Sequence, residues 1–163
     1  MRNRQEVLQL LDREKIPYRL AEHTAVFTIE EMQQLHLEGE QQIAKNLFLR
    51  DDKKRAWYLL VLRAEKHADL KKLRSLLGSR PLSFAGEADL GRLLGLEKGA
   101  VTPLGALNDE EHRVVIRIDS EFCGQTIGVH PLQNTATVWL AADDLITLLK
   151  KYGSDAAYLD LQA

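Results

Sequence analysis

Apolar residues recur along the chain with first one period and then another. From about Glu6 to Glu14, Val7, Leu8, Leu10 and Leu11 fall at helical spacing. Ile16-Pro17 then stops the pattern, because proline disfavours α backbone in the residue before it. The spacing predicts an opening amphipathic helix. Tyr18 to Glu22 reads as a short strand. Thr28, followed three residues later by Glu31, fits a capping box ahead of a second short helix with Met32 and Leu35 on one face. Gln41 to Lys45 reads as a further helical turn. Leu47-Phe48-Leu49 begins a strand that passes through the polar run Arg50 to Arg55 into Ala56 to Leu62, which predicts a hairpin. The second arm is an almost unbroken apolar run. Such a run is expected where both faces are covered, so it belongs at the centre of a sheet packed by helices.

Asp69 to Leu77 carries Leu70, Leu73, Leu76 and Leu77 on one stripe and Lys71, Lys72 and Arg74 opposite, with Gly78 placed to end the helix. Leu82 to Ala85 reads as a short strand and Glu87 to Leu94 as another helix, ending at Gly95. Gly95 to Gly105 reads as a glycine-rich loop able to approach a ligand closely. Arg113 to Asp119, Gln125 to Val129 and Thr135 to Leu140 read as strands. Ala142 to Tyr152 reads as a closing helix, acidic in its first turn and basic in its last, as the helix dipole favours. The connections near 113–140 are too short for parallel crossovers. The fold class expected is therefore α+β (mixed α/β), a curled, mixed and largely antiparallel sheet flanked by helices, with residues 1–163 forming a single domain.

The composition narrows the class further. The chain has 163 residues, of which 45% are hydrophobic and 28% charged, which excludes collagen, disorder and a bare coiled coil. The single cysteine, Cys123, can form neither an internal disulfide nor a multi-thiolate zinc site. No apolar run approaches a membrane span and no export signal is recognisable, so the expected compartment is the cytoplasm. The net charge of −2 conceals an asymmetry: Lys45 to Arg80 holds eleven basic and four acidic residues, a local +7. On one face, that charge would attract phosphates; spread over several, it would only solvate the surface.

Five histidines (His23, His36, His67, His112 and His130) form no His-x-x-x-His pair, and no Cys-x-x-Cys exists, so no metal site is expected. Cys123 lies in no recognisable nucleophile motif, and the P-loop, Gly-x-Ser-x-Gly and Gly-x-Gly-x-x-Gly signatures are absent. Three elements remain. Lys45-Asn46 immediately precedes an apolar strand, the Gly95 to Gly105 loop offers backbone amides, and Gly128-Val129-His130-Pro131 sets a histidine between a glycine and a turn-fixing proline.

In order and spacing these elements resemble the YbaK/prolyl-tRNA synthetase-associated domain family. The resemblance rests on Lys45 to Asp51 (KNLFLRD), Leu62 to Leu73 (LRAEKHADLKKL), Gly95 to Asp109 (GLEKGAVTPLGALND) and Gly128 to Thr137 (GVHPLQNTAT), and covers nearly the whole chain. The last three stretches look most similar to the freestanding alanyl-tRNA(Pro) deacylases, the PrdX or ProXp-ala type. A Gly-Gly-Ile-Ser-Pro-like loop, typical of the cysteinyl-tRNA(Pro) deacylases, is missing.

The resemblance implies the family's editing-domain fold and metal-free hydrolysis of the 3′-aminoacyl ester of mischarged tRNA(Pro), with no cofactor. Aminoacyl-tRNA(Pro) would be the substrate and prolyl-tRNA synthetase a further candidate partner. It assigns Lys45 to the phosphate or ester region and Asn46 to polar positioning beside it. Gly128, His130 and Pro131 would form the wall that aligns attack, with His130 either shaping the site or acting as general base. Ile29, Met32, Leu47 and Val129 are the candidates for an apolar lining, and Arg63, Lys66, Lys71 and Lys72 for holding acceptor-stem phosphates. Competing readings are a deacylase for seryl-, threonyl- or cysteinyl-tRNA, a noncatalytic tRNA-binding or synthetase-associated module, and a small-molecule binder.

Overall fold

The computed structural model describes residues 1–162. β2 (Ala44–Asp51) and β3 (Trp57–Arg63) form the expected antiparallel hairpin. The buried Asp51 carboxylate closes its turn by accepting the backbone N–H groups of Arg55 (2.8 Å) and Ala56 (3.3 Å). β3 is the middle strand of a five-stranded sheet ordered β4–β2–β3–β5–β8, where β4 is Leu82–Phe84, β5 is Val114–Asp119 and β8 is Ala156–Leu159. Its unbroken apolar run is explained by two cores. Leu59 and Val61 join Phe48, Ile116 and Ile118 on one face, while Leu60 and Leu62 join Leu49 and Leu73 of α3 (Leu70–Leu77) on the other.

The curled sheet divides in two. β1 (Tyr18–Glu22), β7 (Ala136–Ala141) and β6 (Thr126–Val129) form a separate antiparallel sheet in the order β1–β7–β6. One isolated parallel bridge, Ile43 to Gly128, connects it to the head of β2. In the larger sheet, β5 runs parallel to β3 and β8 parallel to β5.

Helix ends follow local chemistry. α1 (Arg4–Arg13) starts before its expected boundary because Asn3 and Glu6 complete a capping box, each side chain accepting the other's backbone N–H. Thr28 caps α2 (Ile29–Gln34) by accepting the Glu31 N–H at 3.0 Å. α4 (Glu87–Leu94) ends at Gly95, and α5 (Ala142–Lys151) covers the main core with Leu145, Leu148 and Leu149. Two local expectations are corrected. The helical turn before β2 spans only Glu40–Gln42, so Lys45 is already in the strand. The second half of the glycine-rich loop is a buried 3-10 turn, Pro103–Asn108, in which Gly105 is packed against Leu94 and Leu96 rather than offered to a ligand.

Candidate active site

The bridge between the sheets creates the site. Parallel pairing means that both chains leave Ile43 and Gly128 in the same direction, so Lys45 and Asn46 at the head of β2 come alongside His130, just past β6. This approach requires the absence of a side chain at 128. A Cβ there would lie 3.0 Å from Ile43 Cγ1, 3.0 Å from Trp139 Nε1 and 3.2 Å from Ile43 Cα.

A cavity of about 220 Å³ opens at this seam, with Lys45, Asn46 and His130 on its wall. Its apolar lining includes Val26, Ile29, Met32 and Ile43, and Phe27 also borders it. Val26, Met32 and Ile43 pack with Trp139 into a small buried cluster, so this lining is supported from behind. Gly99 at φ 89° brings its loop against Phe27, where a Cβ would come within 2.6 Å of the ring.

The polar groups have defined states. His130 Nδ1 lies 2.8 Å from the Ala136 carbonyl, which can only accept, so Nδ1 carries the proton and Nε2 keeps its lone pair. Burial pushes the His130 pKa below the ordinary imidazole value. The Ala136 hydrogen bond works the other way, and the nearby His23 adds to the depression. His23 Nδ1 donates to the Thr24 carbonyl (2.8 Å), and its Nε2 lies 2.9 Å from the Thr137 hydroxyl. The two imidazole centroids are 6.3 Å apart. Asn46 Oδ1 is buried and, among the described residues, has no hydrogen-bond partner. An unpaired carbonyl oxygen costs stability, and a ligand donor would satisfy it.

Lys45 is held from a third element. Its ammonium donates to the backbone carbonyl of Lys66, in the β3–α3 connection. The Lys66 side chain is itself pinned, 2.7 Å from the buried Asp119 and 2.8 Å from Glu121. Burial opposes the Lys66 charge, but the hydrogen bonds and charges of Asp119 and Glu121 outweigh it and hold its pKa above the usual lysine value. Arg63 lies 3.3 Å from Glu121 and stacks over the Phe122 ring.

The structure therefore gathers Lys45, Asn46, Ile29, Met32 and His130 at one cavity and places the other named residues elsewhere. Leu47 packs towards the core beneath α3, and Val129 is buried in the main core; neither lines this cavity. Gly128 sits behind the cavity, at the bridge, and Pro131 is buried outside the lining. Arg63 and Lys66 are engaged by the acids of the β5 end rather than free for phosphates. Lys71 and Lys72 remain exposed on α3. Val26, Phe27, Ile43 and His23 are additions that sequence reasoning did not assign to the site. His23 carried a signal only as a histidine, weighed there as a metal ligand. Among the described residues, no three His, Cys, Asp or Glu side chains converge in a way that could hold a metal. What the cavity presents is a cation, an unpaired amide oxygen and a neutral imidazole around a small apolar-lined hollow. That set can hold a short aminoacyl group and stabilise negative charge developing on its carbonyl.

Comparison with known proteins places this geometry. Residues 23–148 match the aminoacyl-tRNA editing domain. The chain is 44% identical over 159 residues to the prolyl-tRNA editing protein ProX of Acetoanaerobium sticklandii, covering 97% of each. It is 36% identical over 159 residues to the prolyl-tRNA synthetase associated domain-containing protein 1 of Xenopus laevis, covering 93% of each. Among solved structures, a candidate trans-editing enzyme for prolyl tRNA synthetase superposes with a TM-score of 0.70 over 98% of each chain, at 22% identity, and the hypothetical protein APE2540 superposes with the same score at 18% identity over 94% of this chain and 97% of its own. The match across most of the chain and the near full-length relatives establish that this protein belongs to the aminoacyl-tRNA editing domain family.

Proposed function

We propose that the protein is a trans-editing hydrolase of the cytoplasm, its 163 residues forming one editing domain, that cleaves the 3′-aminoacyl ester of mischarged tRNA(Pro), with alanyl-tRNA(Pro) as its principal substrate. The observation that carries this reading is the convergence of Lys45, Asn46 and His130 on one small cavity with an apolar lining. The near full-length similarity to a bacterial prolyl-tRNA editing protein supports tRNA(Pro) as the carrier.

In this reading the alanyl methyl group lies against Ile29 and Met32, and Asn46 Oδ1 accepts a hydrogen bond from the aminoacyl ammonium. Water attacks the ester carbonyl, the acyl–oxygen bond to the ribose breaks, and alanine and tRNA leave. Lys45 lies close to the developing oxyanion, held in place through the Lys66 carbonyl. His130, neutral and fixed as the Nδ1–H tautomer, orients the nucleophile through Nε2. An activated ester needs little more than positioning and charge stabilisation. Apolar contacts alone separate substrates by only ~1–3 kcal/mol per methylene, so rejection of proline falls to the shape of the lining around Ile29 and Met32 rather than to apolar contact alone.

The test is to incubate the purified protein with alanyl-, cysteinyl-, seryl- and prolyl-tRNA(Pro) and follow ester loss. Alanyl-tRNA(Pro) should be deacylated fastest, prolyl-tRNA(Pro) should persist at the uncatalysed rate, and Lys45→Ala and His130→Ala should both be impaired. Persistence of all four esters refutes the hydrolase. Full activity in both variants, with loss on Lys71→Glu, would instead assign the function to RNA binding alone.

A further inference from the structure

We propose that a second cavity, sharing a wall with the first, receives the adenine of the tRNA's 3′-terminal nucleoside, stacked on the ring of Phe84. This rests on the reading of the first cavity as the seat of the aminoacyl ester. The second cavity, of about 280 Å³, is bounded by Leu47, Phe48, Phe84 and Leu90, and it shares Asn46 and Val101 with the first. Ester and base are substituents of one ribose, so a base whose ester enters the first cavity lies one sugar ring away. The shared wall of Asn46 and Val101 provides that spacing.

The exposure of Phe84 points the same way. Among the described residues, the large hydrophobic side chains left exposed include two aromatic ones, Phe27 and Phe84, each 61% exposed. One borders each cavity. Phe84 ends β4, a three-residue edge strand paired with β2, where an exposed apolar ring is a liability for association and contributes little to the core. A flat ring presented to water beside a mostly apolar hollow is what base stacking uses. The lining offers stacking and shape rather than a pattern of donors and acceptors. That suits a terminal adenosine common to all tRNAs, which has to be held but not read. Lys98 stands on the rim, and Glu87, at 3.9 Å, forms with it an exposed pair that water already loosens. Its ammonium can exchange that partner for the phosphate of the same nucleotide.

The binding test uses adenosine 5′-monophosphate and the wild-type protein, observing the Phe84 ring and the Asn46 side-chain amide by NMR. Both should shift saturably with the nucleotide, and ribose 5-phosphate should leave the Phe84 ring unmoved. A Phe84 ring that stays silent while the nucleotide binds elsewhere, or that responds equally to ribose 5-phosphate, overturns the assignment of this cavity to the base. The kinetic test compares Phe84→Ala, Phe84→Leu and Phe84→Trp on alanyl-tRNA(Pro). Loss of a stacked base should lower kcat/KM by roughly 5- to 100-fold in the alanine and leucine variants and leave the tryptophan variant within about threefold of wild type. Equal activity in all of them refutes stacking. Should the wild-type protein leave alanyl-tRNA(Pro) intact, the hydrolase reading fails while the nucleotide titration still decides the fate of this cavity.

Discussion

Gly128→Ala probes the joint on which the site depends. The new methyl carbon would meet Ile43 Cγ1 and Trp139 Nε1 at 3.0 Å and Ile43 Cα at 3.2 Å, each a few tenths of an ångström inside comfortable contact. Gly128 does not occupy the left-handed region, so alanine meets no backbone penalty and the effect is steric. Trp139 cannot easily retreat, because its indole N–H donates to the Gly39 carbonyl at 2.9 Å and the Arg19 guanidinium sits 3.9 Å from its ring centroid. The strain falls on Ile43, which carries Lys45 and Asn46 with it. Overpacking of this kind costs about 1–3 kcal/mol, leaving a domain with ~5–15 kcal/mol of stability folded. If Lys45 and Asn46 act as proposed, a shift approaching 1 Å costs about 100-fold in rate. Urea unfolding followed by tryptophan fluorescence should show the modest loss, and single-turnover deacylation of alanyl-tRNA(Pro) the large one. Adding Ile43→Ala should relieve part of the clash, giving a non-additive double-mutant cycle with a coupling of about 1 kcal/mol or more. A Gly128→Ala protein with wild-type kinetics would show that the close bridge does not set the site's geometry.

Three further outcomes follow from the same structure. Lys66→Met leaves the buried Asp119 carboxylate without its partner and should cost about 3 kcal/mol in urea unfolding, the low end for a broken buried pair because Lys66 itself is partly exposed; a loss below 1 kcal/mol would show the pair to be incidental. Burial depresses the His130 pKa in the folded state, so its contribution to stability is complete above the unfolded value near ~6.5 and is lost as pH falls through the folded one. If neutral His130 orients the nucleophile, activity should likewise persist below that ordinary value and fall at more acid pH, which a pH–rate profile with NMR titration of His130 can check; an acid limb above pH 7 contradicts it. Asn46→Leu removes an unpaired buried oxygen and should raise stability by about 1 kcal/mol while abolishing deacylation, whereas a variant that is both less stable and fully active would refute the assignment.

The elements and their faces were legible in the sequence because they are governed by local chemistry. The hairpin announces itself through two apolar runs about a charged turn, Asp69 and Gly78 mark the ends of α3, and the unbroken run in β3 implied its central place before any partner strand was known. β8 was not legible. Ala156 to Leu159 has little β-branched character, and its strand state comes from pairing with Ile116 to Asp119, some forty residues away. The split into two sheets was hidden for the same reason: the bridge from Ile43 to Gly128 spans more than eighty residues and leaves no local mark beyond the glycine. Lys45, Asn46 and His130 stood out as polar residues beside apolar strands, but Leu47 and Val129 follow those strands into the cores. Only the geometry of the seam shows that the lining comes from Val26 and Ile43 instead.

Charge counting illustrates the same limit in energetic terms. The +7 of Lys45 to Arg80 suggests one phosphate-binding face, yet the fold spends part of it internally. Lys66 and Arg63 meet Asp119 and Glu121, brought from more than fifty residues away by the parallel pairing of β3 with β5, and Arg80 meets Asp52 at 2.6 Å. A cation facing a carboxylate at hydrogen-bond distance releases few counterions on meeting RNA, whereas an exposed one releases close to its full share. Within the segment, Lys53, Lys54, Arg55, Lys71, Lys72 and Arg74 stay exposed and, among the described residues, form no ion pair, so they are the cations left available to a phosphate. Lys66, by contrast, contributes through its backbone: the carbonyl that receives Lys45 stays in place because the side chain of the same residue is anchored to Asp119. One lysine thus fixes another, so the basic segment acts partly as scaffold for the cavity and only in its remainder as a surface for phosphate.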